Sequence, residues 1–389
     1  MMKKYWKGIL LGVLVLIAGG FFFVFPAYLE RSSNRVLERP AYTPSPEAQA
    51  LHRTLTIVDL HCDALLWNRN LLKRHNYGHV DIPRLIEGNV ALEAFTIVSK
   101  VPPGLNIERN EGKRDVITLL AVAQRWPVRT WTSLKERAVY QAEKLQRFAQ
   151  ESNGRFVLIR SQNDLKKYLE RRRNNPELTA GFIGVEGAHV LEGKLENVEV
   201  LFDAGIRMMA PTHFFDNEVA GSAHGVKKGG LTDFGRQVIR EMERRSMIID
   251  LAHASEATIQ EVTSMVQRPV VVSHTGVRAT CNNQRNLSDD LIRAIAATGG
   301  VIGVGFWETA TCGRDARAIA RAMRHIADLV GVQHIGLGSD FDGAVPEPFD
   351  VTGLVEITDA LLKEGFSHEE IRLIMGRNII NLLLQALPE

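Results

Sequence analysis

The sequence predicts a (β/α)8 barrel, an α/β fold of TIM type, preceded by one N-terminal apolar helix. Three observations carry this. Eight short apolar runs recur along the chain, too nonpolar to alternate cleanly, as parallel strands covered on both faces read. Helical patterns separate them, which is the strand–helix alternation of a parallel α/β domain. No G-x-G-x-x-G follows the first run, so a dinucleotide site has no support, and an open doubly wound sheet stays as the architectural alternative.

The runs are "LTIVDL" (55–60), "ALEAFTIV" (91–98), "GFIGVEG" (181–187), "GIRMMAPTH" (205–213), "SMIIDLAH" (246–253), "RPVVVSH" (268–274), "GGVIGVGF" (299–306) and "HIGLGSDF" (334–341). Between them, helices are predicted over 232–245 (opened by a Thr/Asp cap signal), 255–265, 288–299, 314–331 and 351–365, the last closing on glycine. A longer helical stretch from Gly112 to Glu151 reads as an insertion after the second strand, and "NIINLLLQALPE" as an amphipathic closing helix.

The N-terminus stands apart. Lys3, Lys4 and Lys7 precede "ILLGVLVLIAGGFFFVFPAYL" at 9–29. About 20 apolar residues cross a bilayer, and flanking lysines favour the cytoplasmic side. The expected arrangement is a single-pass anchor at 1–29, a stalk or linker at 30–50, and the barrel domain at 51–389 outside the cytoplasm. A cleaved signal peptide, which would make the protein secreted, is the rival. Its apolar core is usually shorter and ends on small residues, whereas this one runs into Phe21, Phe22, Phe23 and Phe25. A buried soluble helix is the third reading.

Of 389 residues, 45% are apolar and 24% charged, with a formal net charge of +2 and the charges well mixed, so no nucleic-acid partner is indicated. The three cysteines, Cys62, Cys281 and Cys312, allow one internal disulfide at most. Cys281 with Cys312 is a candidate pair in an oxidising compartment, and Cys62 reads as core.

In a barrel of this kind, catalytic groups sit at the C-terminal ends of several strands. Here His61 and Asp63 follow strand one, Glu186 ends strand three and His213 strand four. His253, His274 and Asp340 end strands five, six and eight. Four of twelve histidines therefore fall at four such positions. Taken singly, each has a plainer reading: His253 and His274 as hydrogen-bonded histidines, Asp63 as a helix cap, Asp340 as a turn residue. Glu186 resists it, because a carboxylate ending an apolar strand is costly unless paired or coordinated.

Imidazole and carboxylate are good Zn2+ donors, and there is no thiolate cluster. His61, Asp63, Glu186, His253 and His274 are too many for one catalytic zinc with an open position. They suit two ions, with His61 and Asp63 on the first, His253 and His274 on the second, and Glu186 bridging. That chemistry is hydrolysis.

At this point the sequence resembles the zinc-dependent membrane (renal-type) dipeptidases, within the amidohydrolase-like barrels. The segments that carry the resemblance, in order, are "DLHCD" (59–63), "GVEGAH" (184–189), "PTHFFDN" (211–217), "IIDLAHAS" (248–255), "VVVSHTG" (271–276), "RNLSDD" (285–290) and "GLGSDFDG" (336–343). The resemblance implies two Zn2+ ions per chain, His213 steadying the scissile carbonyl or its oxyanion, and Arg285 pairing with the substrate's terminal carboxylate. It implies that Asp340 carries the proton from attacking water to leaving amine, and that the protein is a homodimer. Ala188 departs from the E-G-G-H of mammalian members, and those use a C-terminal lipid anchor instead of an N-terminal helix. "NLS" at 286–288 matches a glycosylation acceptor, but a glycan beside Arg285 would obstruct the site.

The expected substrate is a dipeptide or similar small amide with a free carboxylate, including dipeptides with a C-terminal D-residue. The nearest rival is deacylation of an N-acyl (D-)amino acid, or cyclic amide opening, on the same metals. A pocket acid for a dipeptide's ammonium would discriminate. A catalytically inactive binding protein that kept the barrel is the rival of another class.

Overall fold

The computed structural model describes residues 2–389. One continuous helical rod opens the chain: α1 (Met2–Gly19), a π-turn (Gly20–Val24) and α2 (Phe25–Ser33). Its stretch Trp6–Ser33 is long and apolar enough to cross a membrane. Residues 34–45 then run along the barrel to α3 (Pro46–His52). They are tied there by Leu37 N to Glu347 O at 2.8 Å, Glu347 N to Arg35 O at 3.0 Å and Ser45 Oγ to Asp359 Oδ1 at 2.6 Å. An Arg39–Glu356 ion pair adds to these ties.

The predicted barrel follows. β1 (Ile57–Cys62), α4 (Ile82–Glu87) and β2 (Val90–Phe95) lead into an insertion of α5 (Ile117–Ala123), α6 (Leu134–Glu151), β3 (Phe156–Leu158) and α7 (Gln162–Asn174). The regular alternation then resumes with β4 (Thr179–Val185), α8 (Asn197–Asp203), β5 (Ile206–Met209), α9 (Asp233–Arg244), β6 (Ile248–Ile249), α10 (Glu256–Met265), β7 (Val271–Thr275) and α11 (Asp289–Ala297). β8 (Val301–Val304), α12 (Glu308–Thr311), α13 (Ala316–Val330), β9 (Ile335–Leu337), α14 (Val355–Lys363), α15 (His368–Arg372) and α16 (Asn378–Ala386) complete it.

All ladders are parallel, in the order β6-β5-β4-β2-β1-β9-β8-β7. A parallel bridge between Asp250 and Val271, with Leu251 N donating to Val271 O at 2.8 Å, joins the two ends and closes the barrel. The eight predicted strands are these eight. β3 is a ninth, paired to the start of β4. The predicted helix over 112–151 is two helices, because Pro127 bars the residue before it from the α region and a 3-10 turn (Val128–Trp131) intervenes.

Two apolar layers sandwich the sheet. Val58, Leu92, Ala94, Phe182, Met208 and Val301 fill one, with Ile379, Ile380 and Leu383 of α16 closing it off. Cys62, Phe95, Val185, Met209, Ile302 and Leu337 form the other, against Leu145, Met242, Ile292 and Met323 of the surrounding helices. At the α15–α16 junction Gly376 abuts β1, where any side chain would collide with the Thr56 carbonyl. Side-chain caps start several helices, including Thr232 (to Gly235 N, 2.9 Å), Ser255 (to Thr258 N, 3.0 Å) and Asp315 (to Ala318 N, 3.0 Å). Each is worth about 1 kcal/mol. They anchor the helices that return the chain to the next strand, so the strand ends, where the polar residues lie, are fixed in space.

Candidate metal centre

The strand ladders stop early where the polar residues begin. β5 ends at Met209 and β6 at Ile249, and the next residues curl over the mouth to present His213 and His253. His253 and Asp340 take left-handed backbone conformations, φ 61° and 67°. Such conformations cost of order 1–3 kcal/mol and persist where surroundings over-determine them.

Two aspartates supply that constraint. Asp59 Oδ1 accepts from Ser339 N at 2.9 Å and faces His61 N at 3.4 Å. Asp250 Oδ1 accepts from Ser273 N at 2.8 Å and Ala252 N at 3.0 Å. Each carboxylate therefore pins its own strand end and a serine on, or just past, the neighbouring strand. The common "D-L" in "IVDLHCD" and "IIDLAHAS" was the available signal for this, and sequence reasoning left it unassigned.

All eight predicted site residues come together. Asp63, Glu186, His213, His253, His274, Arg285 and Asp340 line one cavity of about 280 Å3, with His61 fully buried beside it. Glu186 is the hub. Its Oε2 meets His213 Nε2 at 2.8 Å, and its Oε1 lies 3.1 Å from His61 Nε2, 3.5 Å from His253 Nε2 and 3.6 Å from His274 Nε2. His61 Nε2 is also 3.6 Å from Asp63 Oδ1 and 3.8 Å from Asp340 Oδ1. His253 and His274 face each other, Nε2 to Nε2, at 2.9 Å.

Three overlapping donor groups result: His61–Glu186–His274, Glu186–His213–His253 and His61–Asp63–Asp340. Glu186 is shared by two of them, the arrangement of a binuclear-type metal site. The donor set fits divalent ions on independent grounds. Glu186 Oε1 is buried with no hydrogen-bond partner, as is His253 Nδ1. Burial, then Arg285, holds His253 well below the usual imidazole range; burial, then His61, does the same for His274. Both are thus neutral, the state that ligates.

The cluster is also strongly negative. Burial pushes Asp340 well up, and Asp63 and Glu186 add to the push. Burial opposes a charge on His61, yet Glu186 and Asp63 outweigh it and hold the ring well above its ordinary value. Burial would raise Glu186 too, but His213 and His61 keep it well below the carboxylate range. A potential that draws a proton onto a fully buried imidazole is one that cations neutralise.

Supporting groups that sequence reasoning missed surround these residues. Thr96 Oγ1 donates to Asp63 Oδ1 at 2.6 Å. Ser273 Oγ lies near the Nδ1 atoms of both His61 and His274. Arg285 is buried and held by Thr275 Oγ1 (Nη1, 3.1 Å) and His274 O (Nη2, 2.6 Å), with further N–H donors free for the cavity. Cys281 and Cys312 form a disulfide, Cα to Cα 5.2 Å, stitching the Arg285 loop to α12. Leu66, Val98, Val101, Leu105, Ile107, Phe214, Trp307 and Val345 make the rest of the cavity largely apolar.

A closed parallel barrel with a histidine–carboxylate cluster at the C-terminal mouth of its strands defines a metal-dependent hydrolase. The chain belongs to the membrane dipeptidase family (peptidase family M19), whose profile matches residues 45–387. It is 27% identical over 391 residues to Dipeptidase aclJ of Aspergillus oryzae, across 95% of this chain and 86% of that protein. Its fold matches a metallopeptidase of Rhodobacter sphaeroides, solved with a phosphinate mimic of the dipeptide L-Ala-D-Ala (TM-score 0.68, 24% identity, 86% of this chain and 99% of that one). It also matches the probable dipeptidase PvdM of Pseudomonas aeruginosa (TM-score 0.73, 18% identity, 88% and 98%).

Proposed function

We propose that this protein is a membrane-anchored binuclear zinc dipeptidase that hydrolyses dipeptides, including those with a C-terminal D-residue. The observation that carries the reading is Glu186, one buried carboxylate with four imidazole nitrogens within 3.6 Å. His61 and Asp63 would hold one ion, His253 and His274 the other, and Glu186 would bridge. Bound zinc polarises a scissile carbonyl and acidifies water at neutral pH.

The chain's own residues do the rest. Arg285, with donors left over, grips the terminal carboxylate in the bidentate geometry that guanidinium favours. That grip fixes where the amide falls. His213, on the far side of Glu186, donates to the oxygen that gains charge as the carbonyl is attacked. Asp340, whose surroundings raise its proton affinity, takes a proton from the attacking water and returns it to the departing nitrogen.

One observation favours a second reading. The acids lining the cavity are Asp63, Glu186 and Asp340, each already assigned, and the remaining wall is mostly apolar. No separate acid awaits a dipeptide's ammonium. An N-acyl (D-)amino acid, which has none, suits this wall. The deciding experiment is metal content of the purified full chain together with hydrolysis of L-X-L-Y and L-X-D-Y dipeptides and matching N-acyl amino acids. About two zinc per chain and dipeptide cleavage lost on chelation support the dipeptidase. Two metals with acyl cleavage alone support the deacylase. No metal uptake from added zinc overturns both.

The N-terminal rod is read as an uncleaved anchor with the barrel outside the cytoplasm, where the Cys281–Cys312 disulfide is stable. Cleavage of the rod would make the protein secreted instead. The homodimer rests on the family resemblance, and light scattering of the detergent-solubilised chain tests it.

A further inference from the structure

The rod does not stand clear of the domain. α5 packs against the π-turn Gly20–Val24 and against α2, with the Arg125 guanidinium 4.5 Å above the Phe23 ring. Pro26, Glu30 and Asn34 are buried, whereas Phe23 and Tyr28 on the same rod are each 67% exposed. Glu30 is paired with buried Arg69 at 2.9 Å, so the rod meets the domain at a fixed point.

Counting rise along the rod sets the depth of that contact. From Lys7, at the cytoplasmic edge, to Phe23 is sixteen residues, or about 24 Å at ~1.5 Å per residue. The hydrocarbon layer is about 30 Å thick. Phe23 therefore lies inside the outer leaflet, and whatever packs beside it lies at the level of acyl chains and headgroups.

The stretch that packs beside it carries exposed apolar side chains, with the Arg125 and Arg129 cations among them at headgroup level. Val116 is 42% exposed, Leu119 54% and Val128 69%, all within the stretch that holds α5 and the 3-10 turn after it. In water these side chains would have no partner. At this depth lipid is the partner, and the apolar surface continues that of the rod itself.

We infer that residues 116–131 seat the catalytic domain in the outer leaflet of the bilayer, with Val116, Leu119 and Val128 immersed beside the anchor. The occupant of this surface is lipid, and the inference rests on the anchor reading above. The seat also reaches the active site. Leu66, Val98 and Val101 line the cavity, and they share one apolar cluster with Ile117, Leu120 and Trp126 of the seat and Leu29 of the rod. Val116 N donates to Val101 O at 2.9 Å. One wall of the cavity is therefore the back of the membrane seat, which holds the site near the lipid surface.

The test uses the full chain reconstituted in phosphatidylcholine vesicles. Leu119→Cys, Val128→Cys and, as a control at the closed end of the barrel, Glu369→Cys are each labelled with an environment-sensitive fluorophore. The native Cys62 is buried and the other two cysteines are disulfide-bonded, so labelling is selective. Retained hydrolysis shows that each variant is folded. Lipids with a nitroxide at acyl carbon 5 should quench positions 119 and 128 several-fold more than 369. Equal quenching at all three, with the chain resistant to carbonate extraction, overturns the seat and leaves the anchor standing. Release of the chain by carbonate overturns the anchor and the seat together.

Discussion

Ser273 Oγ lies 3.1 Å from His61 Nδ1 and, on its other side, 3.0 Å from His274 Nδ1. One hydroxyl thus receives both rings from behind. If both Nδ1 atoms donate to it, both Nε2 lone pairs are left facing Glu186, as ligation requires. Second partners of this kind typically carry 10–100-fold in metal affinity. Ser273→Ala should weaken zinc binding by about that factor, read by competition with a chelator, with the fold intact by circular dichroism. Unchanged affinity would remove Ser273 from the account.

Asp340 is proposed to move protons, and Arg285 to bind. Asp340→Asn keeps the shape and loses the proton. Its kcat should fall by about 10²–10⁴-fold while about two zinc per chain remain, measured by steady-state kinetics beside metal analysis. A fall in zinc equal to the fall in rate would make Asp340 a ligand instead.

The disulfide closes a loop between positions 31 apart that contains Arg285. Removing it as Cys281→Ala with Cys312→Ala should cost about 3–4 kcal/mol of stability on the loop-entropy account, seen in denaturant melts. Because the freed loop carries Arg285, the proposed carboxylate clamp, KM for dipeptides should rise several-fold with kcat less affected. Equal loss in both would place the effect at the metals.

His52 gives a pH signature away from the site. Its Nδ1 meets Thr358 Oγ1 at 2.8 Å and its Nε2 faces Gly88 O at 3.4 Å. Burial lowers its pKa from 6.5 to about 4. The folded state therefore resists a proton that the unfolded chain accepts. The stability this represents is present above about pH 6.5 and is lost as pH falls toward 4, worth about 2–3 kcal/mol by pH 4.5. The stability gap between the native chain and His52→Gln should narrow by that amount between pH 7.5 and 4.5 in urea titrations. A constant gap would show that the ring does not titrate in this window.

Much of the barrel was legible because its strands are covered on both faces and so read as plain apolar runs. Glu186 stood out since an acid has no business ending such a run without a partner. β3 escaped notice because three residues flanked by Arg155 and Arg160 give no period to detect. The supporting groups were illegible for a different reason. Ser273 is 212 residues from His61, and Ser45 is 314 from Asp359. Nothing local in either segment encodes such a meeting. Val116, Leu119 and Val128 fall within the predicted helical stretch 112–151, where nothing in the pattern separates an exposed apolar side chain from a buried one.

The helix that closes one apolar layer of the barrel is α16, and the junction before it backs onto the start of β1, Gly376 against Thr56, from the opposite end of the barrel's sequence. Ring closure of this sort joins segments that nearly the whole of the barrel separates along the chain. The final ordering of the barrel is therefore an event of high contact order, slow by the standards of local helical folds. Until that ordering is complete, the apolar interior of the barrel stays open at the floor that α16 covers.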